Sequence, residues 1–251
     1  MLFFRIAVDG MKTSMGLPEV MLGVLPGGGG TQRLPALTGL PNSLDMALTG
    51  KTLNAKKAKK VLVFCLFFLH QELANVSGKV GLVDAVVDAL GPGPGTSPAE
   101  TTHKHLENIA IKTAKQLGEG TMKLPNRGPK NFQAKATNAI LGLGPVKDYV
   151  FKTARGKVMK QTNGLYPAPL KILDSIRAGL DGGATAGYEA ERTKFGELVA
   201  TSESRGLISL FHGQTECKKN KFGPPAKPSN TLGILGAGLM GAGIAQVWIE
   251  H

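Results

Sequence analysis

The sequence predicts an α/β fold, and three observations carry that expectation. Glycine is frequent, at 34 of 251 residues, while aromatics make up only 6%, a balance that suits a loop-rich α/β globule better than a β-sandwich. Apolar residues through the middle of the chain recur at helical spacing. Near the end, an apolar strand-like run leads through closely spaced glycines into a helix-like run. With 42% apolar and 19% charged side chains, the chain can bury a sizeable core, which excludes a disordered tail or a collagen-like chain.

Taken in order, residues 5–8 and 11–15 flank Asp9-Gly10, a two-residue turn signal, so a hairpin of short strands is expected there. Leu17-Pro18-Glu19-Val20 follows, and then a run of glycines, residues 27–30. Residues 31–37 and 43–48 read as short helices ended by Gly39 and Gly50. Residues 61–69, VLVFCLFFL, are apolar but fall short of the ~20 residues a membrane-spanning helix needs. Residues 82–87 read as a strand, and 90–98 (LGPGPGTSP) as a Pro/Gly-rich linker. From about 101 to 213 the pattern is helical. Leu106, Ile109, Ala110, Thr113, Ala114 and Leu117 share one face, and Leu170, Leu173, Ile176 and Leu180 share another. Leu207, Ile208 and Phe211 follow Ser202, a capping candidate with Glu203 in the first turn. Such stripes ordinarily form core and carry no chemistry by themselves. Residues 218–229 (KKNKFGPPAKPS) read as a basic linker.

The net charge of +12 favours an anionic partner, whether nucleic acid, an anionic membrane surface or a phosphorylated small molecule. The charges are dispersed, however. The dense runs at residues 56–60 and 218–221 lack the aromatic interleaving of a single-strand binder, and no zinc-finger or RNP-type spacing is present, so nucleic acid is set aside. Cys65 and Cys217 are too few for a disulfide framework, which favours a reducing or intracellular setting. Residues 1–8 do not read as a signal peptide, because Arg5 interrupts the apolar stretch. His103 and His105 are the only closely spaced histidines, and they read as solvated.

Two stretches bear chemistry. Gly236, Gly238 and Gly241 stand in G-x-G-x-x-G order, with Leu239 and Met240 between the second and third, after an apolar run and before a helical one. This is the context of a dinucleotide-binding fingerprint, in which backbone N–H groups at a helix N-terminus meet a pyrophosphate. The fingerprint also wants an acidic residue ~20 positions further on, and the sequence stops before that point. The expectation is therefore the first βα unit of a Rossmann domain, without tight NAD binding. The second stretch joins Glu19 to the glycines that precede a helix. Such glycines can form a nest of donors for anionic or thioester ligands, and a carboxylate beside them can serve as general acid or base. A solvated or capping role for Glu19 stands beside that reading.

LPEVMLGVLPGGGGTQRLPALTG, LDMALTGKTLNAKKAKK and GLVDAVVDALGPG resemble the crotonase (enoyl-CoA hydratase) superfamily. KQTNGLYPAPLKILDSIRAGLDGG, KFGELVATSES and LGILGAGLMGAGIAQV extend the resemblance, in order, to the α-subunit family of the mitochondrial trifunctional enzyme of fatty-acid β-oxidation. The resemblance implies the C-terminal part of a crotonase-like fold over residues 1–90, a mainly helical closing and linker region over 91–217, a linker over 218–230 and a truncated Rossmann start over 231–251. Residues 61–79 have no counterpart in the family pattern and suggest an unspliced intron piece or a gene-model error. The resemblance assigns Glu19 as one of two glutamates that hold the water added to an enoyl thioester. It places the second glutamate and the backbone oxyanion hole outside this sequence. It implies NAD at Gly236, Gly238, Leu239, Met240 and Gly241, coenzyme A thioesters as substrates, a thiolase β subunit as partner, and the mitochondrial matrix at the inner-membrane surface as location. On that basis the parent enzyme hydrates 2-enoyl-CoA and oxidises 3-hydroxyacyl-CoA. The chain itself is expected to be an incomplete, inactive form or, as the other reading, a non-catalytic isoform contributing only subunit contacts.

Overall fold

The computed structural model describes residues 4–59, 81–124, 143–221, 223 and 231–250. The apolar insert, residues 61–79, lies outside the described residues. The observed class is α/β. The elements run β1 (Ile6–Asp9), β2 (Met15–Gly16), a 3-10 helix (Pro18–Leu22), α1 (Gly30–Thr38), α2 (Leu40–Thr49), β3 (Thr52–Leu53), α3 (Ala55–Lys59), β4 (Ala85–Asp88), α4 (Pro98–Gly118), α5 (Gly144–Thr162), α6 (Pro167–Val199), α7 (Ser202–Cys217) and α8 (Leu239–Glu250). Two compact units form, residues 1–211 and 212–251.

The expected hairpin at Asp9-Gly10 is corrected. β1 pairs with β4 in parallel, Ile6 opposite Ala85 through Asp9 opposite Asp88, whereas β2 pairs antiparallel with β3. Gly10 still turns, at φ +83, but it turns beneath Ala89, whose Cβ lies 3.2 Å from where a Gly10 Cβ would stand. Alternating apolar residues mark a strand but do not choose its partner. Here the choice is fixed by Arg5, which donates from its backbone N–H and its Nε to Asp84 Oδ2, at 2.8 and 3.1 Å. The strand expected at 82–87 forms as β4, shifted towards its C-terminal end.

The two short helices form as expected. α1 ends and α2 begins at Gly39 (φ +77), and α2 ends at Gly50 (φ +67), a left-handed conformation that disfavours a Cβ. Leu40, Leu44 and Ala47 of α2 turn inward onto Val150, Phe151 and Ala154 of α5 and Ile172, Leu173 and Ile176 of α6. Leu25, in the loop before α1, is fully buried in this cluster. A smaller cluster, Ala7, Ala55, Ala58 and Val83, covers the β1–β4 pair.

α6 folds back on itself at Gly183 (φ +79, ψ −176). Its two arms meet where Gly179 faces Gly187, and a Cβ on Gly187 would lie 2.7 Å from the Gly179 Cα. Leu173 and Ile176 bury as the periodicity implies, but Leu180 is 44% exposed, because the chain turns away from the core just beyond it. α4 carries the predicted stripe and opens with a reciprocal Ser97–Glu100 capping box. The stripe is not core, however. With Phe4, Arg5 and Ile6 it lines an open groove of ≈ 790 Å³. At α7 the expected cap at Ser202 is corrected, since Thr201 Oγ1 accepts from Ser204 N at 3.2 Å.

Ion pairs lace α5 to α6. Lys147 donates to Asp181, Arg177 bridges Asp148 and Asp181, and Arg155 pairs with Asp174 at 2.7 Å. The hydrogen bond from Lys147, supported by its charge and by Arg177, holds the Asp181 carboxyl below its ordinary 3.8. A carboxyl depressed in the folded state adds stability above its unfolded pKa and loses it as pH falls through the folded value. The melting midpoint is therefore expected to fall as pH drops below about 3.8, and an Asp181→Asn chain to show a shallower acid-side fall in a pH series of thermal melts. Because Asp181 is partly exposed, the difference is small.

No helix among the described residues is long and apolar enough to cross a membrane.

Candidate functional site

Glu19 sits in the first turn of the 3-10 helix, with Pro18 before it. Three close approaches hold this segment. Leu17 packs its methyls against Gly30, 3.1 and 3.2 Å from where a Cβ would stand. Met21 lies 2.8 Å from the equivalent position on Gly50. Gly23 closes the helix in the left-handed region at φ +69 and lies against the Ser204 backbone, 2.9 Å from its would-be Cβ. Ser204 Oγ also donates to the Leu22 carbonyl at 3.3 Å. The backbone of Glu19 is tied to the following loop, because Val24 N donates to Glu19 O at 3.2 Å.

The side chain ends differently. Glu19 Oε2 is buried and has no hydrogen-bond partner among the described residues. A buried carboxylate oxygen without a partner costs free energy, which makes this oxygen a candidate acceptor for a group outside the described residues. The residue as a whole is half-buried.

The glycine run is not the open nest the sequence suggested. Gly29 N and Thr31 N donate to Glu191, at 2.5 Å to Oε1 and 3.0 Å to Oε2, and the Thr31 hydroxyl donates to Oε2 as well. Glu191 is 1% exposed and comes from the second arm of α6. The donors expected to meet a substrate are therefore occupied by the chain's own carboxylate. Two of the four glycines are fixed by crowding, and Gly29 by its backbone, at φ +86. A Cβ at Gly27 would lie 2.7 Å from the Phe195 ring, at Gly29 2.7 Å from Arg33, and at Gly30 2.6 Å from Pro26, while Gly28 has open space. Gln32 completes the arrangement. Its Nε2 donates to Thr31 Oγ1 and to the Ser175 carbonyl, each at 2.9 Å, and its Oε1 lies between Gly179 and Gly187. Thr31, Gln32 and Glu191 were not singled out in the sequence. The signal that could have found them is the glycines at 179 and 187 of α6, which make room for the Gln32 amide.

In the second unit, the βα expectation is half met. α8 forms, but residues 231–237 are not in a strand. A strand needs a neighbour to satisfy its backbone groups, and among the described residues neither sheet includes 231–237. The turn keeps glycine where a side chain would not fit. Gly236 adopts φ +107, and a Cβ on Gly241 would stand 1.9 Å from the Gly236 carbonyl. Nothing lies within 4 Å of where a Gly238 Cβ would be, so a phosphate can approach that backbone. Leu239 and Met240 are exposed, at 92% and 76%. The turn thus fits a pyrophosphate held by the N–H groups of Leu239, Met240 and Gly241, which their own helix cannot satisfy. Among the described residues there is no group of three or more His, Cys, Asp or Glu able to hold a metal ion.

No family model matches the chain. Curated relatives do. The fatty acid oxidation complex subunit alpha of Vibrio campbellii is 41% identical over 246 residues, covering 97% of this chain and 29% of the relative. The subunit of the same name from Vibrio parahaemolyticus is 41% identical over 248 residues, covering 98% and 29%. That from Shewanella loihica is 39% identical over 246 residues, covering 97% and 29%. Nearly the whole of this chain is therefore similar to a portion of bacterial fatty acid oxidation complex α subunits, and it spans 29% of their length.

Proposed function

We propose that these residues serve fatty-acid β-oxidation as part of an α subunit that hydrates 2-enoyl-CoA and oxidises the resulting 3-hydroxyacyl-CoA with NAD. The observation that carries the reading is the buried Glu19 Oε2, without a hydrogen-bond partner among the described residues, on a segment whose sequence resembles the hydratase pattern and whose relatives bear the fatty acid oxidation name. In hydration, Glu19 holds the water and handles its proton as it adds to the enoyl double bond. The larger share of such catalysis comes from donors aimed at the thioester oxygen. The nest donors at Gly29 and Thr31 are taken by Glu191, so they do not supply it, and the 251 residues alone are proposed to turn over only at background.

Bound NAD would supply a hydride acceptor. Gly236, Gly238, Leu239, Met240 and Gly241 would hold its pyrophosphate, and the open space at Gly238 supports this. A thiolase β subunit as partner, the mitochondrial matrix as location and its inner membrane as surface remain part of the proposal. They rest on the resemblance and on the +12 charge, which suits anionic thioesters and anionic lipid.

Function is tested in cells whose full-length α subunit contains these residues. Glu19→Gln is expected to raise 2-enoyl-CoA esters severalfold during growth on fatty acids, without raising 3-hydroxyacyl-CoA. Unchanged enoyl-CoA levels contradict the assignment.

A further inference from the structure

The glycine run was expected to receive a ligand, and the structure shows one seated in it. Gly29 N, Thr31 N and the Thr31 hydroxyl converge on the Glu191 carboxylate, which is 1% exposed. We propose that residues 29–31 form a carboxylate-binding site whose ligand is this chain's own Glu191, and that Glu191 is thereby a positioning residue for Glu19. The role in positioning rests on the reading of Glu19 as the proton-handling acid; the binding site does not.

The path is short. Glu191 fixes Gly29 and Thr31, and Gly30 between them carries Leu17, two residues before Glu19, against its bare Cα. From the other side, Val24 N holds the Glu19 carbonyl at 3.2 Å. Val24 and Leu25 are anchored in the core at 7% and 0% exposure. The loop from Gly23 to Gly29 is thus pinned at one end by Glu19's own carbonyl and at the other by Glu191. The Gln32 amide ties the same site to both arms of α6, through the Ser175 carbonyl on the first and the gap between Gly179 and Gly187. A carboxylate suits this pocket for physical reasons. Its two oxygens accept three donors at the start of a helix, where backbone N–H groups and the helix dipole favour negative charge. Gly29, at φ +86, permits the turn that brings its N–H round to the same point as that of Thr31.

The test is chemical rescue of the full chain. Glu191→Ala removes the ligand and leaves two backbone donors buried. The melting midpoint is expected to fall by roughly 5–10 °C, and amide exchange at Gly29, Thr31 and Val24 to quicken. Formate, small enough for the vacated space, is expected to recover much of the midpoint and to slow exchange at all three amides, where chloride at equal ionic strength does neither. Glu189→Ala, at an exposed position on the same arm, is expected to show no formate-specific effect. Absence of rescue by formate in a folded Glu191→Ala chain overturns the binding site. Rescue of the midpoint with Val24 exchange unchanged throughout overturns the positioning role. If Glu191→Ala does not fold in chloride, folding on addition of formate supports the site. Failure to fold even then is decided by Thr31→Val, which removes one donor. Faster exchange at Gly29 and Val24 in that chain supports the proposal, and exchange equal to the wild type overturns it. None of these readings uses turnover, so the site can stand or fall apart from the hydratase assignment.

Discussion

Replacing Asp84 with Ala is expected to cost about 3–5 kcal/mol, the usual loss when one member of a buried ion pair is removed. The Arg5 and Asp84 side chains are 13% and 7% exposed. Asp84 accepts the Arg5 backbone N–H, its Nε and, at 3.3 Å, its Nη2. Among the described residues Arg5 Nη1 is already buried without a partner, and the guanidinium left behind keeps there only the Gly81 carbonyl at 3.3 Å. The pair also sets the parallel register of β1 on β4, since Asp84 N and Ala85 N both donate to the Arg5 carbonyl, at 2.8 and 3.1 Å. A urea titration read by circular dichroism measures the loss. A double replacement, Arg5→Leu with Asp84→Leu, is expected to recover most of it, because an apolar pair avoids the stranded charge. A single Asp84→Ala change within about 0.5 kcal/mol of the parent, the usual range for surface substitutions, contradicts this account.

Leu25→Ala is expected to cost about 2–5 kcal/mol. Leu25 is fully buried where the loop after Glu19 enters the core between α2 and the α5–α6 layer. Truncation there leaves a cavity in packed surroundings, and the loop that follows Glu19 loses its anchor. Leu25→Met, which nearly conserves volume, is expected to cost less than about 1.5 kcal/mol. Met21, four residues away and 64% exposed, loses its contact with Gly50 and is expected to cost less on truncation to Ala, about 1 kcal/mol. The three chains compared by urea midpoint give the order directly.

What the sequence shows of this molecule follows the range of the interaction. α1 and α2 were legible because their ends are written locally, in Gly39 and Gly50. Glu19 stood out as a candidate because Pro18-Glu19 and the glycines that follow stand close together, while its assigned role came from the family resemblance. The pairing of β1 with β4 was not, because a turn signal at Asp9-Gly10 favours the nearest strand, while the deciding contact, Arg5 with Asp84, spans 79 positions. The occupant of the nest was hidden for the same reason, with Glu191 and Thr31 160 positions apart. α4 misled in the opposite way. Its periodicity is genuine, but periodicity states which face is apolar and not what covers it. At the other end, the glycine turn at 236–241 needed only local geometry and formed, whereas the preceding strand needed a neighbour and did not.

The hydratase assay on the purified 251-residue chain bears most directly on the idea that Glu19 is one acid of an unfinished site. Crotonyl-CoA is supplied in excess, and loss of the enoyl thioester is followed beside a full-length α subunit from one of the Vibrio relatives. The expected rate is that of buffer, and Glu19→Gln leaves it unchanged. Turnover within tenfold of the full-length subunit, abolished by Glu19→Gln, would show that these residues assemble a complete hydration site and would contradict the account.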